Sequence, residues 1–296
     1  MARDDGGILE SVRDLVGALA PLSVRDLESE LRDRLAKIPT RLNEYGYDPF
    51  GFHPDAARRS LYPAALLYRY YFRVEVKDID RVPEGRVLLI CNHAGQLPFD
   101  GMMLGAAMVL EAEPPRICRP MGEYWIPRIP FFNEAAARSG AMVGTPENCV
   151  AMLEQDEAVM VFPEGVRGMN KLYKERYRLQ RFGLGFMRLA LETDTPIVPV
   201  ALVGSEEQNP GLGTSRTLAR LLGVPAFPLT AMFPWLGPLG LLPLPVRYHF
   251  YFGEPLRFEG DPNDDDASIQ QKVDVVRSSI ESMFERGLAE REGVFR

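Results

Sequence analysis

Between residues 24 and 38, in VRDLESELRDRLAKI, apolar side chains recur every three or four positions among charges, the stripe of an amphipathic helix. The same period runs through ILESVRDLVGALA (8–20), so two N-terminal helices are expected, parted at Pro21, with Ser23 as N-cap of the second. YGYDPFGFHPD (45–55) is dense in glycine, proline and aromatics and reads as a linker, with His53 a side chain of it. A helix over Ala64–Tyr70 and an alternating strand around Phe72–Val76 should follow. The pattern then changes. RVLLICNH carries five consecutive apolar residues between Gly85 and Asn92, as a strand buried on both faces does. AVMVF (158–162) and PIVPVALVG (196–204) repeat the run, and FGLGFMRLALET between them returns to helical spacing. Strand, crossover helix and strand predict an α/β fold with a mostly parallel central sheet flanked by helices, behind an N-terminal helical extension. The expected layout is helices and linker over 1–56 and one domain over 57–296. Within the latter, the acidic loop GDPNDDDAS (260–268) leads into an amphipathic C-terminal helix.

Composition narrows the function more than the fold. At 296 residues and 46% hydrophobic the chain can bury a sizeable core, while a net charge of −7 argues against a general nucleic-acid binder. Cys91, Cys118 and Cys149 lack metal-ligand or paired spacing, so small buried thiols in a reduced compartment are expected, with no metal. The start, MARDDGGILE, has no long apolar run, which suits cytoplasmic residence rather than secretion. From Leu221 to Val246 there are 26 uncharged residues, but six prolines make a spanning helix untenable. Two readings of that stretch stay open. One is a loop packed by Phe227, Phe233 and Trp235; the other, preferred here, is an apolar surface resting on the inner face of a membrane with Trp235 at headgroup level.

The candidate chemistry sits in CNHAGQLPFDG (91–101), which places His93 seven positions before Asp100. Histidine is the side chain best suited to take a proton from a hydroxyl near neutrality, and a carboxylate on its second nitrogen fixes the tautomer. Along an uninterrupted helix seven residues advance roughly 10 Å, too far for a bond. Gly95 and Pro98 interrupt it: the loop can fold back, and Asp100 then falls in the first turn of a new helix. The alternative is a core histidine followed by an aspartate that complements a helix dipole. VFPEGVRG (161–168) ends a second strand with a proline and a glycine turn, which presents Glu164 at the same sheet edge. RGMNKLYKERYRLQR then sets six cations against one acid, either a solvated face or an attractor of phosphates, headgroups or an acidic carrier protein. No G-x-S-x-G elbow occurs, so a serine acyl-enzyme is not indicated.

Four segments in order, NHAGQLPFDG, RSGAMVGTPENC (138–149), VFPEGVRG and PIVPVALVGSEE (196–207), resemble the glycerolipid acyltransferase family, most closely its bacterial monoacylglycerol-acyltransferase-like branch, over about residues 60–258. The resemblance implies transfer of a fatty acyl group from acyl-CoA or acyl-carrier protein, as co-substrate, to a hydroxyl of a glycerolipid-like acceptor. It implies His93 as base, Asp100 as its partner, and Glu164 and Arg167 as acceptor contacts. Asn92, Gln96 and Gly165 in the same two loops complete the expected substrate-binding set, and Lys171 and Lys174 are candidate donor or headgroup contacts. No cofactor is implied. Two departures matter. Six residues separate His93 from Asp100 where the family pattern has four, and Met142, Val143 and Gly144 stand where phosphate-binding versions carry an arginine. The second departure favours a neutral acceptor, unless Arg138 compensates. The first leaves room for a non-catalytic, membrane-peripheral lipid-binding protein on the same fold; a thioesterase, with water replacing the alcohol at the same base, is a separate alternative.

Overall fold

A computed structural model describes residues 22–124, 132–224 and 226–295. The expected helix over 8–20 lies outside the described residues. Helix α1 (Leu22–Ala36) follows the expected period, although Ser23 falls within it rather than capping it. Helix α2 (Pro54–Leu66) begins inside the stretch read as a linker, because His53 is its N-cap and accepts from the Ala56 N–H at 3.4 Å. The helical path continues to Tyr71 through one wide turn, so the strand expected from Phe72 shortens to β1 (Glu75–Lys77).

The buried runs form the middle of the sheet. β2 (Val87–Cys91) lies between β5 (Ala158–Val161) and β6 (Ile197–Val203), parallel to both. On one side β3 (Cys118–Gly122) and β4 (Met142–Val143) extend the parallel order; on the other stand β9 (His249–Phe252) and β1. Among the described residues the sheet has seven strands, and only the β6–β9 pairing is antiparallel. Alternation along β2 divides the interior. Val87, Leu89 and Cys91 join a layer with α1, α2 and α3 (Phe99–Leu110), while Leu88 and Ile90 join a layer with α7 (Gly185–Glu192) and the C-terminal α9 (Asp266–Glu290). The first layer includes Leu27 and Leu31 of α1, so this helix of the extension is packed into the core. All three cysteines are free and buried, and burial pushes the Cys118 thiol up to about 12. No helix among the described residues is long and apolar enough to cross a membrane.

Register decides what shares the sheet's carboxyl edge. Ile90 lies opposite Val161, so His93 and Glu164, each three residues further on, emerge at the same level.

Candidate active site

The loop between β2 and α3 turns back on itself at Gly95 (φ 85°) and Gln96 (φ 63°). A side chain could not replace the hydrogen of Gly95: a Cβ there would lie 2.1 Å from Gln208 Nε2 and 2.5 Å from the Ser205 carbonyl oxygen. Gln208 holds the loop instead, donating to the carbonyls of Gly95 (3.1 Å) and Leu97 (3.0 Å), and itself accepts from the Tyr248 hydroxyl. The chain enters α3 with Pro98 at the cap, which leaves Asp100 in the first turn, fully buried.

That turn brings the seven-residue separation to bonding distance. His93 Nδ1 lies 2.7 Å from Asp100 Oδ2, and the same oxygen accepts the Ala94 N–H at 2.9 Å. The other carboxylate oxygen accepts the Gly101 N–H at 2.8 Å. A carboxylate held by two N–H groups is an acceptor, so Nδ1 carries the proton and Nε2 is the basic face of the ring. The imidazole packs on Phe162, centroids 4.4 Å apart, and 13% of the side chain is accessible. Burial pulls the imidazole pKa down. The charge and hydrogen bond of Asp100, with Glu164 behind them, outweigh it and hold the pKa above the ordinary histidine value.

The second loop supports the first from beneath. Gly165 adopts φ 56° and opens the short turn α6 (Val166–Met169). At Gly168 a Cβ would sit 2.6 Å from Glu164 Cβ and 2.8 Å from the His93 carbonyl oxygen, so only glycine lets α6 approach this closely. Glu164 Oε1 accepts the His93 main-chain N–H at 3.0 Å, and Oε2 accepts the Gln180 N–H at 2.6 Å. Lys171 Nζ lies 3.3 Å from Glu164 Oε2 and 2.8 Å from Glu206 Oε1, with both partners' side chains buried. Burial pushes the Glu206 carboxyl up to about 7 against the pull of Lys171.

The chain that carries this edge resembles known proteins along most of its length. A family model described as Acyltransferase matches residues 73–203. An uncharacterized protein of Mycobacterium tuberculosis is 38% identical over 271 residues, covering 90% of this chain and 74% of its own. One from Mycobacterium leprae is 39% identical over 278 residues, covering 90% and 76%. The mouse protein named DGAT1/2-independent enzyme synthesizing storage lipids is 24% identical over 213 residues, 72% of this chain and 60% of its own. The crystal structure of the 1-acyl-sn-glycerophosphate (LPA) acyltransferase PlsC from Thermotoga maritima shares the fold, with TM-score 0.53 at 15% identity over 80% of this chain and 81% of that one. The chain belongs to the glycerolipid acyltransferase family.

Within this acyltransferase the residues expected to meet substrate divide sharply. His93, Asp100 and Glu164 come together, but Glu164 is 1% exposed and its oxygens face main-chain N–H groups and Lys171 rather than the surface. Asn92 is wholly buried: its amide donates to the Leu202 carbonyl and accepts the Leu202 N–H, continuing the strand ladder with a side chain. Gln96 donates to the Lys171 carbonyl at 2.7 Å and is 4% exposed. Lys171, expected at a headgroup or donor, is buried between its two carboxylates. Gly165 is half-buried, and Arg167 and Lys174 remain exposed. Arg138 pairs with Glu134 one turn back along α4 (Phe132–Arg138). Sequence reasoning missed Glu206, Gln208 and Tyr177, whose hydroxyl donates to Glu207 at 2.8 Å. For Glu206 and Gln208 the signal was available: the polar run SEEQN follows β6 after Gly204, at the carboxyl edge where His93 emerges.

Proposed function

We propose that this acyltransferase moves a fatty acyl group from an acyl thioester, acyl-CoA or acyl-carrier protein, directly to a hydroxyl of a glycerolipid-like acceptor. His93 Nε2 takes the hydroxyl proton as the oxygen attacks the thioester carbonyl. The C–S bond then breaks, and the imidazolium returns the proton to the leaving thiolate. Asp100 fixes the tautomer and stabilises the imidazolium. The observation that carries this reading is the 2.7 Å contact between His93 Nδ1 and Asp100, on a ring that keeps part of its surface open at the sheet edge. Glu164 acts here as a positioning residue, holding the main chain of His93, and of the expected cationic contacts Arg167 and Lys174 stay exposed to meet substrate.

A neutral acceptor, a mono- or diacylglycerol or another long-chain alcohol, fits best. Lys171 is held by two buried carboxylates and is not available to a phosphate, Arg138 sits in a surface pair with Glu134, and Met142, Val143 and Gly144 supply no cation. The mouse relative's name, which specifies storage lipids, leans the same way.

The test follows thiol release from palmitoyl-CoA with and without neutral and phosphorylated acceptors, for wild type and His93→Ala. Release that depends on a neutral acceptor, with the variant slower by about 10²- to 10⁴-fold while still folded, is the expected result. Release indifferent to every acceptor would make the protein a thioesterase, and no release at all would favour a lipid-binding role.

A further inference from the structure

The sheet edge that presents His93 also issues a lobe whose surface differs from the rest of the molecule. It comprises β7 (Gly211–Thr214), α8 (Arg216–Leu222), β8 (Pro228–Thr230) and a 3₁₀ turn at Gly237–Leu241. Among the described residues fourteen large apolar side chains are exposed, and seven of them fall within 212–242, a concentration that chance placement does not give. Trp235 is 82% exposed, Leu221 78% and Leu239 67%. They are held out by an ordered frame. Thr230 Oγ1 donates to the Gly240 carbonyl at 3.0 Å and accepts the Phe233 N–H at 3.0 Å, while the Phe227 and Phe233 rings pack edge to face beneath. Leu239 lies within the 3₁₀ turn and Leu236 and Leu242 flank it at either end, all three exposed. With Trp235 they make one short exposed apolar run, a leucine ridge headed by the indole.

Charge says what the ridge meets. In a chain of net charge −7, the 46 residues from Gln208 to Gly253 hold no aspartate or glutamate. Arg216 and Arg220, exposed and one turn apart on α8, stand beside the exposed Leu221 and Leu222. A symmetric contact between two copies would set these arginines against themselves with no acid in the patch to answer them. An anionic lipid surface answers both the cations and the leucines. The position is also apt. Leu244 N–H donates to the Gln208 carbonyl at 2.6 Å, and Gly211 packs on the Gln96 amide, so both ends of the lobe are fastened to the residues that brace the His93 loop.

We propose that the lobe over residues 211–242 docks on an anionic bilayer, with Trp235 and the leucine ridge at headgroup depth and Arg216 and Arg220 on lipid phosphates. Docked this way, the His93 edge faces the lipid interface. The inference concerns the surface alone and holds whichever acceptor the site uses.

The experiment uses the full chain with Trp125→Phe, leaving Trp235 as the reporter, and vesicles of phosphatidylglycerol with phosphatidylethanolamine or of phosphatidylcholine. Co-sedimentation with the anionic vesicles, a blue shift of Trp235 emission and its quenching by brominated acyl chains are expected, with far weaker effects on phosphatidylcholine. Arg216→Ala with Arg220→Ala should weaken binding roughly 25-fold, about fivefold for each charge near the surface. Trp235→Ser with Leu239→Ser should abolish co-sedimentation with the anionic vesicles. Unchanged binding by both double variants overturns the proposal. So does a loss of dimer mass in the Trp235→Ser and Leu239→Ser protein with vesicle binding intact, which would make the ridge an interface between copies. Should that variant fail to fold, the arginine pair, on the exposed face of α8, decides the question alone.

Discussion

His93 depends on an unlike pair of influences, and its proton should report them. Its surroundings remove water, which disfavours the imidazolium, yet the charge and hydrogen bond of the carboxylate 2.7 Å away, together with the charge of Glu164, outweigh that loss. A base must be neutral to act, so a raised pKa means that the rate falls on the acidic side of a point above the ordinary histidine value near 6.5. Asp100→Asn removes the charge that raises it. The acidic limb of the kcat/KM profile should then move to lower pH, while the plateau drops because the imidazolium and its tautomer lose support. A limb that stays in place would show that Asp100 does not set the His93 proton affinity. The residue types of this pair were legible in CNHAGQLPFDG, and so were Gly95 and Pro98 as the places where a helix would break. Their meeting was not. It depends on Gln208, more than a hundred residues later, holding the loop in its turned-back form.

The strands carry the same lesson one level up. β2, β5 and β6 could be read directly, since strands buried on both faces are continuous apolar runs. β3 could not, because Arg119 and Pro120 interrupt its pattern, and β9 hides its direction: nothing local says that it pairs antiparallel with β6. The loops beyond the strands were harder still. In RGMNKLYKERYRLQR nothing local separates Lys171 from Lys174, yet the fold buries the first between Glu164 and Glu206 and leaves the second in water. Removing one partner from such a group strands the others as uncompensated buried charge, which costs about 3–5 kcal/mol. Lys171→Met should lose stability of that order in urea denaturation, whereas the exposed Arg181→Met should stay within about 0.5 kcal/mol. Equal effects would mean that the buried triad contributes no more than a surface charge.

At the scale of the whole molecule the N-terminal helix behaves as part of the core that the sheet organises. α1 packs on α2 and α3, and Leu27 and Leu31 are 2% and 1% exposed in the same apolar layer as Val87, Leu89 and Cys91 of β2. The sequence suggested an extension ending near residue 56, because the glycine-, proline- and aromatic-rich stretch 45–55 reads as a linker after it. The apolar stripe of α1 has a partner: the α2–α3 surface it covers would otherwise face water. Burial this complete ties α1 to the unfolding of the sheet, so Leu31→Ala leaves a cavity beneath a helix that cannot fully collapse onto it. Its cost should be about 2–5 kcal/mol, read as a lower denaturation midpoint in a single transition. The site lies at the sheet's carboxyl edge and is braced from Gln208 and Tyr248, so the acidic limb set by His93 should not move in that variant. A separate early transition for α1, or a midpoint unchanged by Leu31→Ala, would instead mark the helix as an appendage to an acyltransferase that folds without it.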